Sequence, residues 1–157
     1  MTAVDSATTS TPLAGRFVDL SGRLQDAPEA WRPLKVARGE IDAEIDRLAQ
    51  GSAPPGGRRV SSIVHPEATG PGLGFAPGVR VAIEVLRPGE ATTPIRRNSS
   101  QVCIGIRGRG VASIGDRDID LAQWDVTNVP SMKGHAFRNT GDDLWVRLTY
   151  SNEPLLE

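Results

Sequence analysis

Two stretches of the chain decide its fold. Residues 88–101 read PGEATTPIRRNSSQ, and residues 130–139 read PSMKGHAFRN. Between them lie the turn Gly108-Arg109-Gly110 and the pair Trp124-Asp125. Both stretches open on proline and contain glycine, and residues of these types mark tight turns between short elements. We therefore expect short strands on either side of each stretch.

Outward from these stretches, apolar and polar residues alternate with a period of two. Turn-forming residues separate the alternating runs, and such runs are typical of strands. The predicted strands are residues 79–86, 101–106, 111–114, 117–121, 125–129, 135–138 and 144–150, with a further candidate at 60–64. Many short strands at even spacing predict an antiparallel sandwich or barrel.

One helix is predicted ahead of the strands, over Glu40–Gln50. Ile41, Ile45 and Leu48 recur at the spacing of a single helical face. Gly51 is placed to end the helix as its C′ residue. Because the apolar stripe is narrow, we expect the helix to lie against the outside of the barrel.

The two stretches resemble the motif pair of the cupin superfamily, most closely its gentisate 1,2-dioxygenase-like branch. There the first motif reads roughly PGxxTxPHRHxSSE and the second GDxxxxPxWxxHxxxN, and this chain aligns with both without a gap. The resemblance implies an all-β, antiparallel double-stranded jelly-roll barrel. We add an N-terminal arm and one short amphipathic helix. Residues 1–30 form the predicted flexible arm, 31–57 the helix-containing lead segment and linker, and 58–157 the cupin barrel.

The resemblance also locates the positions at which the family holds its metal. The two histidine positions of the first motif fall on Ile95 and Arg97, and the optional glutamate falls on Gln101. Only His135, with Asn139 four residues later, matches the second motif's ligand. An aliphatic side chain and a permanent cation cannot ligate a metal. We therefore expect no metal cofactor, and Fe(II) or another divalent metal is the alternative.

The same positions suggest a pocket for a small molecule inside the barrel. Arg97 could bind a carboxylate through its planar fork, and His135 could act as an acid/base group. Gln101 could offer its amide, and Trp145 and Arg147 share one face of the last strand. Each has a structural alternative, such as an ion pair for Arg97 with Glu84 or an aspartate.

Three further side chains bear on the site. His65, in a loop before Pro66, is predicted to be exposed, although with His135 and a carboxylate it could build a substitute metal site. Trp124 stands where the family pattern has glycine, and Met132 stands where it has a large aromatic residue or glycine. We expect both changes to alter the wall or rim of the cavity.

Composition narrows the class of protein. A chain of 157 residues suits one domain. The net charge of −1 gives no electrostatic reason to expect nucleic acid, and no apolar run approaches the roughly 18 residues of a membrane span. With a single cysteine, Cys103, and no signal-peptide pattern, we expect a cytoplasmic protein. A homodimer is the family's habit, and Val18, Leu20 and Trp31 could supply a swapped arm.

Three functions remain open. The first is a metal-free site that binds or transforms an anionic compound, for example an aromatic carboxylate. The second is a divergent, metal-dependent dioxygenase-like oxidoreductase. The third is a non-catalytic cupin with a structural or regulatory role. Whether the chain is an enzyme depends on which of them holds.

Overall fold

The computed structural model describes residues 31–69 and 73–156. Over these ranges the chain forms one α-helix, eight strands and two short 3-10 turns. The elements are α1 (Arg38–Gln50), β1 (Arg59–Ile63), β2 (Arg80–Leu86), β3 (Gln101–Arg107), β4 (Gly110–Ile114), β5 (Arg117–Leu121), β6 (Val126–Val129), β7 (His135–Asn139) and β8 (Trp145–Ser151), with 3-10 turns at Pro55–Gly57 and Glu153–Leu155. Each predicted strand is present, and its ends differ from the prediction by at most one residue.

The strands form two antiparallel sheets. The five-stranded sheet has the order β1-β2-β8-β3-β6, and the three-stranded sheet has the order β5-β4-β7. The connection from β2 to β3 runs beside β7, where Ala91 pairs with Arg138 and Ile95 pairs with His135. These pairings hold the first motif against the second. The predicted all-β jelly-roll architecture is confirmed.

The five-stranded sheet is apolar on its outer face and partly polar on its inner face. On β2, Val81, Ile83 and Val85 point outward, whereas Ala82 and Glu84 point inward. Helix α1 covers the outer face, where Ile45 and Leu48 pack against a cluster that includes Ile83, Val85 and Val146. As predicted, the helix lies on the outside of the sheet.

Helix α1 begins two residues earlier than predicted and ends at Gln50 as predicted. It begins at Arg38, because the Glu40 side chain accepts a hydrogen bond from the Ala37 amide at 2.7 Å and caps the first turn. Gly51 follows the last helical residue, as predicted, but its φ of −58° lies outside the left-handed region that is usual for a C′ glycine. Arg59 also caps this end. Its Nη1 donates to the carbonyl oxygens of Leu48, Gly51 and Ser52 at 2.7–3.0 Å.

The interior between the sheets is divided into two parts. One part is a hydrophobic cluster of Leu86, Cys103, Ala112, Leu121, Val129, Phe137 and Trp145. Packing there is close, since a Cβ added to Gly110 would lie 2.3 Å from a ring carbon of Trp145. Asn139 closes the turn after β7 by donating to the carbonyl oxygens of Leu86 and Asp143 at 2.9 and 2.8 Å. The second part, beside this cluster, is polar.

The prediction that His65 is exposed is wrong. His65 is buried, with 5 % of its surface exposed, because Trp31 stacks on its ring at a centroid distance of 4.9 Å. Trp124 and Met132 are 69 % and 56 % exposed to solvent, and neither lines the internal cavity. Both have a positive φ, of 71° and 64°, which directs the chain through a turn.

Two further predictions concern the part of the chain before the barrel. The predicted flexible arm, with Val18 and Leu20, lies outside the described residues. Trp31 is described, and it lies on His65. Within the described ranges, no helix is long and apolar enough to cross a bilayer.

Candidate functional site

A small cavity lies at the polar end of the interior. Its volume is about 40 Å³. The strands β1, β2, β3 and β8 supply most of its wall, and the rest comes from Arg58 before β1, Arg97 between β2 and β3, and the last 3-10 turn. The lining residues are Arg58, Val60, Arg80, Ala82, Glu84, Arg97, Gln101, Thr149, Ser151 and Glu153. Two predicted site residues, Arg97 and Gln101, therefore lie in one wall.

Glu84 is held by a buried arginine. Arg147 donates from Nη2 to a carboxylate oxygen of Glu84 at 2.7 Å, and its side chain is 1 % exposed. The guanidinium lies 3.5 Å from the ring centroid of Phe137 and 4.6 Å from that of Trp145. Aromatic faces attract a cation at these distances. Nε and Nη1 of Arg147 have no hydrogen-bond partner among the described residues.

Glu153 pairs with two other arginines and offsets one of their two positive charges. One carboxylate oxygen lies 2.6 Å from Nη1 of Arg80, and the other accepts a hydrogen bond from Nη1 of Arg97. The Glu153 side chain is 13 % exposed, against 28 % for Arg80 and 35 % for Arg97. Arg97, at the family's metal position, is therefore in an ion pair, and its partner is neither Glu84 nor an aspartate.

Arg58 is the lining arginine that has no carboxylate partner in the described part of the chain. Its Nη2 donates to the Thr93 carbonyl oxygen at 3.1 Å, and its buried Nε has no partner there. Burial lowers the pKa of Arg58, Glu84 raises it, and the charges of Arg97 and Arg147 lower it again. Four arginines thus face two glutamates, which leaves this end of the interior positively charged.

His135 points into the interior from β7. It is 3 % exposed, and its Nδ1 lies 3.2 Å from the Lys133 carbonyl oxygen. A carbonyl oxygen only accepts, so in the neutral ring the proton is on Nδ1 and Nε2 carries the lone pair. Nε2 has no partner within residues 31–69 and 73–156. Burial lowers the pKa of His135, and so do the positive charges of Arg58 and Arg97.

The remaining predicted side chains lie at different depths. Gln101 is 8 % exposed and lines the cavity. Trp145 and Arg147 share one face of β8 as predicted, but both are fully buried and neither lines the cavity. Cys103 also faces inward, in the hydrophobic cluster, and burial raises the pKa of its thiol.

The residues around His135 do not fit a divalent metal. At the family's two histidine positions, Ile95 offers no lone pair and Arg97 is a cation. Both carboxylates of the cavity wall, Glu84 and Glu153, are bound by arginines. In the part of the chain that the structure describes, no three His, Cys, Asp or Glu side chains are grouped as metal ligands would be.

Several lining residues were missed at the sequence level. Arg58 was assigned to no element, and Glu153 was considered only as part of the chain's ending. Glu84 was considered only as a partner for Arg97. A usable signal exists on β2, where polar residues alternate with Val81, Ile83 and Val85. The alternation alone does not say which set faces inward, and α1 covers the apolar set from outside.

A wider cleft adjoins the cavity. Its volume is about 270 Å³, and it shares Arg58 and Val60 with the cavity wall. The other residues that line it come from the end of α1, the following linker and Arg59 of β1. A molecule that reaches Arg58 from this side therefore has room beside the cavity.

Comparison with known proteins supports the fold and the branch. No family model matches the chain. The chain is 26 % identical over 132 residues to 5-nitrosalicylic acid 1,2-dioxygenase from Bradyrhizobium sp.. The aligned region covers 82 % of this chain and 61 % of that protein. It therefore spans about three fifths of the length of this relative.

Solved structures show the same fold. Salicylate 1,2-dioxygenase from Pseudoaminobacter salicylatoxidans matches with a TM-score of 0.66 and 18 % identity, over 77 % of this chain and 34 % of that one. A cupin domain from Schizosaccharomyces pombe matches with a TM-score of 0.50 and 11 % identity, over 59 % of this chain and 61 % of the other. The chain therefore has the cupin fold, and its sequence is similar to that of a 1,2-dioxygenase of an aromatic acid.

Proposed function

We propose that this cupin binds a small anionic compound between its sheets, and that it does so without the family's metal. The observation that carries the proposal is that the Arg58 guanidinium is only partly satisfied by its neighbours. This arginine lines the cavity, has no carboxylate partner among the described residues and keeps a buried Nε without an acceptor. A buried donor left unsatisfied is costly. A bound anion would satisfy it.

The size of the cavity restricts which part of the ligand enters it. A water needs about 10–15 Å³ by this kind of measure, so the cavity of about 40 Å³ has room for a carboxylate-sized group. An aromatic ring needs more, since a pocket of about 150 Å³ accommodates benzene. For an aromatic carboxylate, we propose that the carboxylate binds at Arg58 and the ring lies in the adjoining cleft of about 270 Å³.

His135 would add a second kind of contact. The lone pair on its Nε2 can accept a hydrogen bond from a ligand hydroxyl group, or accept a proton during a reaction. Its lowered pKa keeps the ring neutral, and so able to accept, at neutral pH. His135 does not line the cavity, so we propose it as the acid/base or hydrogen-bonding group for a ligand that extends beyond the cavity.

Binding can be tested by calorimetry on the full chain with acetate, benzoate and salicylate. We expect Arg58→Gln to weaken carboxylate binding by about 10- to 100-fold, the value of one charged hydrogen bond. Arg97→Ala tests the anchor predicted from the sequence. Arg107→Gln is the control, because Arg107 pairs with Asp143 and does not line the cavity. Equal affinities in wild type and Arg58→Gln would contradict the proposal.

A metal-dependent oxidoreductase is the second candidate, because the sequence relative is named a dioxygenase. Elemental analysis of the purified protein separates the candidates, together with oxygen uptake on gentisate and salicylate. Stoichiometric iron with oxygen uptake would replace our proposal by this one. No binding of any carboxylate, with no metal, would favour the non-catalytic cupin.

A further inference from the structure

Glu153 is an internal anion within the wall of the proposed site. Its two oxygens are used separately, one by Arg80 and the other by Arg97. We infer that Glu153 is a specificity-determining residue, which occupies Arg80 and Arg97 and thereby makes the cavity favour ligands with one carboxylate group over ligands with two. This inference rests on the proposed function, since it concerns which anions the same cavity takes.

The position of Glu153 is fixed by the turn that carries it. The side chain of Asn152, directly before it, accepts a hydrogen bond from the Ser100 amide at 2.9 Å. Leu155, two residues later, packs on Gly78 so closely that an added Cβ would lie 2.6 Å from it. These contacts fix the backbone of the turn, and Arg80 and Arg97 hold the carboxylate at the cavity wall.

The consequence follows from the pairing of charges in the wall. Glu153 engages both Arg80 and Arg97, and Arg147 engages Glu84. Among the described residues that line the cavity, Arg58 is the guanidinium that no carboxylate engages. A monocarboxylate can pair with Arg58 without approaching Glu153. The second carboxylate of a dianion would face Glu153, and like charges at contact distance repel.

Replacing Glu153 by glutamine tests the inference, with acetate and malonate as probes. Glu153→Gln keeps the size of the side chain but leaves Arg80 and Arg97 free to bind a second carboxylate. We expect malonate to bind about 10- to 100-fold more tightly to Glu153→Gln than to the wild type. Acetate affinity should change by far less. Glu90→Gln is the matched control, because Glu90 pairs with Arg59 outside the cavity.

The outcomes separate this inference from the proposed function. If the wild type binds acetate and Glu153→Gln binds malonate no better than the wild type does, Glu153 does not set the charge, while the binding site stands. If neither protein binds either probe, both ideas fail. If Glu153→Gln does not fold, the affinities of the wild type for the two probes still test the inference. Tighter binding of acetate than of malonate would support it, and tighter binding of malonate would overturn it.

Discussion

At the scale of single residues, Trp124 occupies a backbone conformation that its side chain disfavours. Its φ is 71°, and its amide donates to the Gly105 carbonyl oxygen at 2.7 Å in the turn before β6. The left-handed region costs an L-residue about 1–2 kcal/mol. The family pattern has glycine here, and the φ value gives the physical reason. The tryptophan gains little packing in return, since it is largely exposed.

We therefore expect Trp124→Gly to stabilise the protein. The free energy of unfolding should rise by about 0.5–1 kcal/mol, because the relief of strain exceeds the extra entropy of an unfolded glycine. Urea denaturation measures the change. Trp124→Ala is the control, since alanine keeps the Cβ and hence the strain. A glycine variant no more stable than the alanine variant would contradict the explanation.

His135 should make stability depend on pH. Burial lowers its pKa in the folded state below the usual 6.5, so the unfolded chain binds a proton more readily than the folded one. The contribution is fully present above pH 6.5 and is lost as the pH falls through the folded pKa. We expect the free energy of unfolding to fall with pH below about 6.5.

Comparison with His135→Gln isolates this effect from the other titrating groups. Urea denaturation between pH 7.5 and 5 should give a shallower decline for the variant than for the wild type. His65 is retained in both proteins and cancels in the comparison. Parallel pH profiles would show that His135 titrates alike in the folded and unfolded states.

At the scale of elements, helix α1 decides which face of the five-stranded sheet is dry. Ile45 and Leu48 are 7 % and 8 % exposed, and they cover Ile83 and Val85 of β2. Arg59 fastens the end of the helix to β1 through three backbone carbonyl groups. The helix thereby allows the inner face of β2 to carry Glu84 and Arg80.

Truncation of the helix's buried residue should be costly. We expect Ile45→Ala to lower the free energy of unfolding by about 2–4 kcal/mol, through lost burial and the cavity left behind. Ile41→Ala, at a half-buried position of the same helix, should cost clearly less. Urea denaturation checks both values. Equal losses at the two positions would mean that the helix does not pack on the sheet as described.

At the scale of the whole molecule, the assembly state stays a prediction. The family resemblance suggests a homodimer, and Val18 and Leu20 of the predicted arm lie outside the described residues. We expect light scattering on the full chain to give twice the mass of 16.8 kDa at micromolar concentration. If residues 1–30 exchange between protomers, a chain that begins at Trp31 should be monomeric. A full-length monomer would exclude the swapped arm.

The sequence predicted the fold more completely than it predicted the candidate site. Strand positions were readable because turns and alternation are local properties, and so were the inward directions of Arg97 and His135. Burial of His65 was not, because its stacking partner Trp31 is distant in sequence. The partner of Arg97 could not be read from the sequence either. Glu153 is 56 residues away in the chain, and it lies beside Arg97 because β8, which precedes it, is placed between β2 and β3 in the sheet.

The sequence by itself determined the strand order along the chain, the cupin motif pair and the loss of histidines at two metal positions. The tertiary structure alone decided which face of each strand is the interior, and which charges neutralise one another there. The reason is physical. Alternation divides a strand into two faces, but only the packing of another element, here α1, chooses which face is covered from outside. Charge pairing likewise depends on distances through space, so only the folded positions of the carboxylates leave Arg58 without a carboxylate partner among residues 31–69 and 73–156.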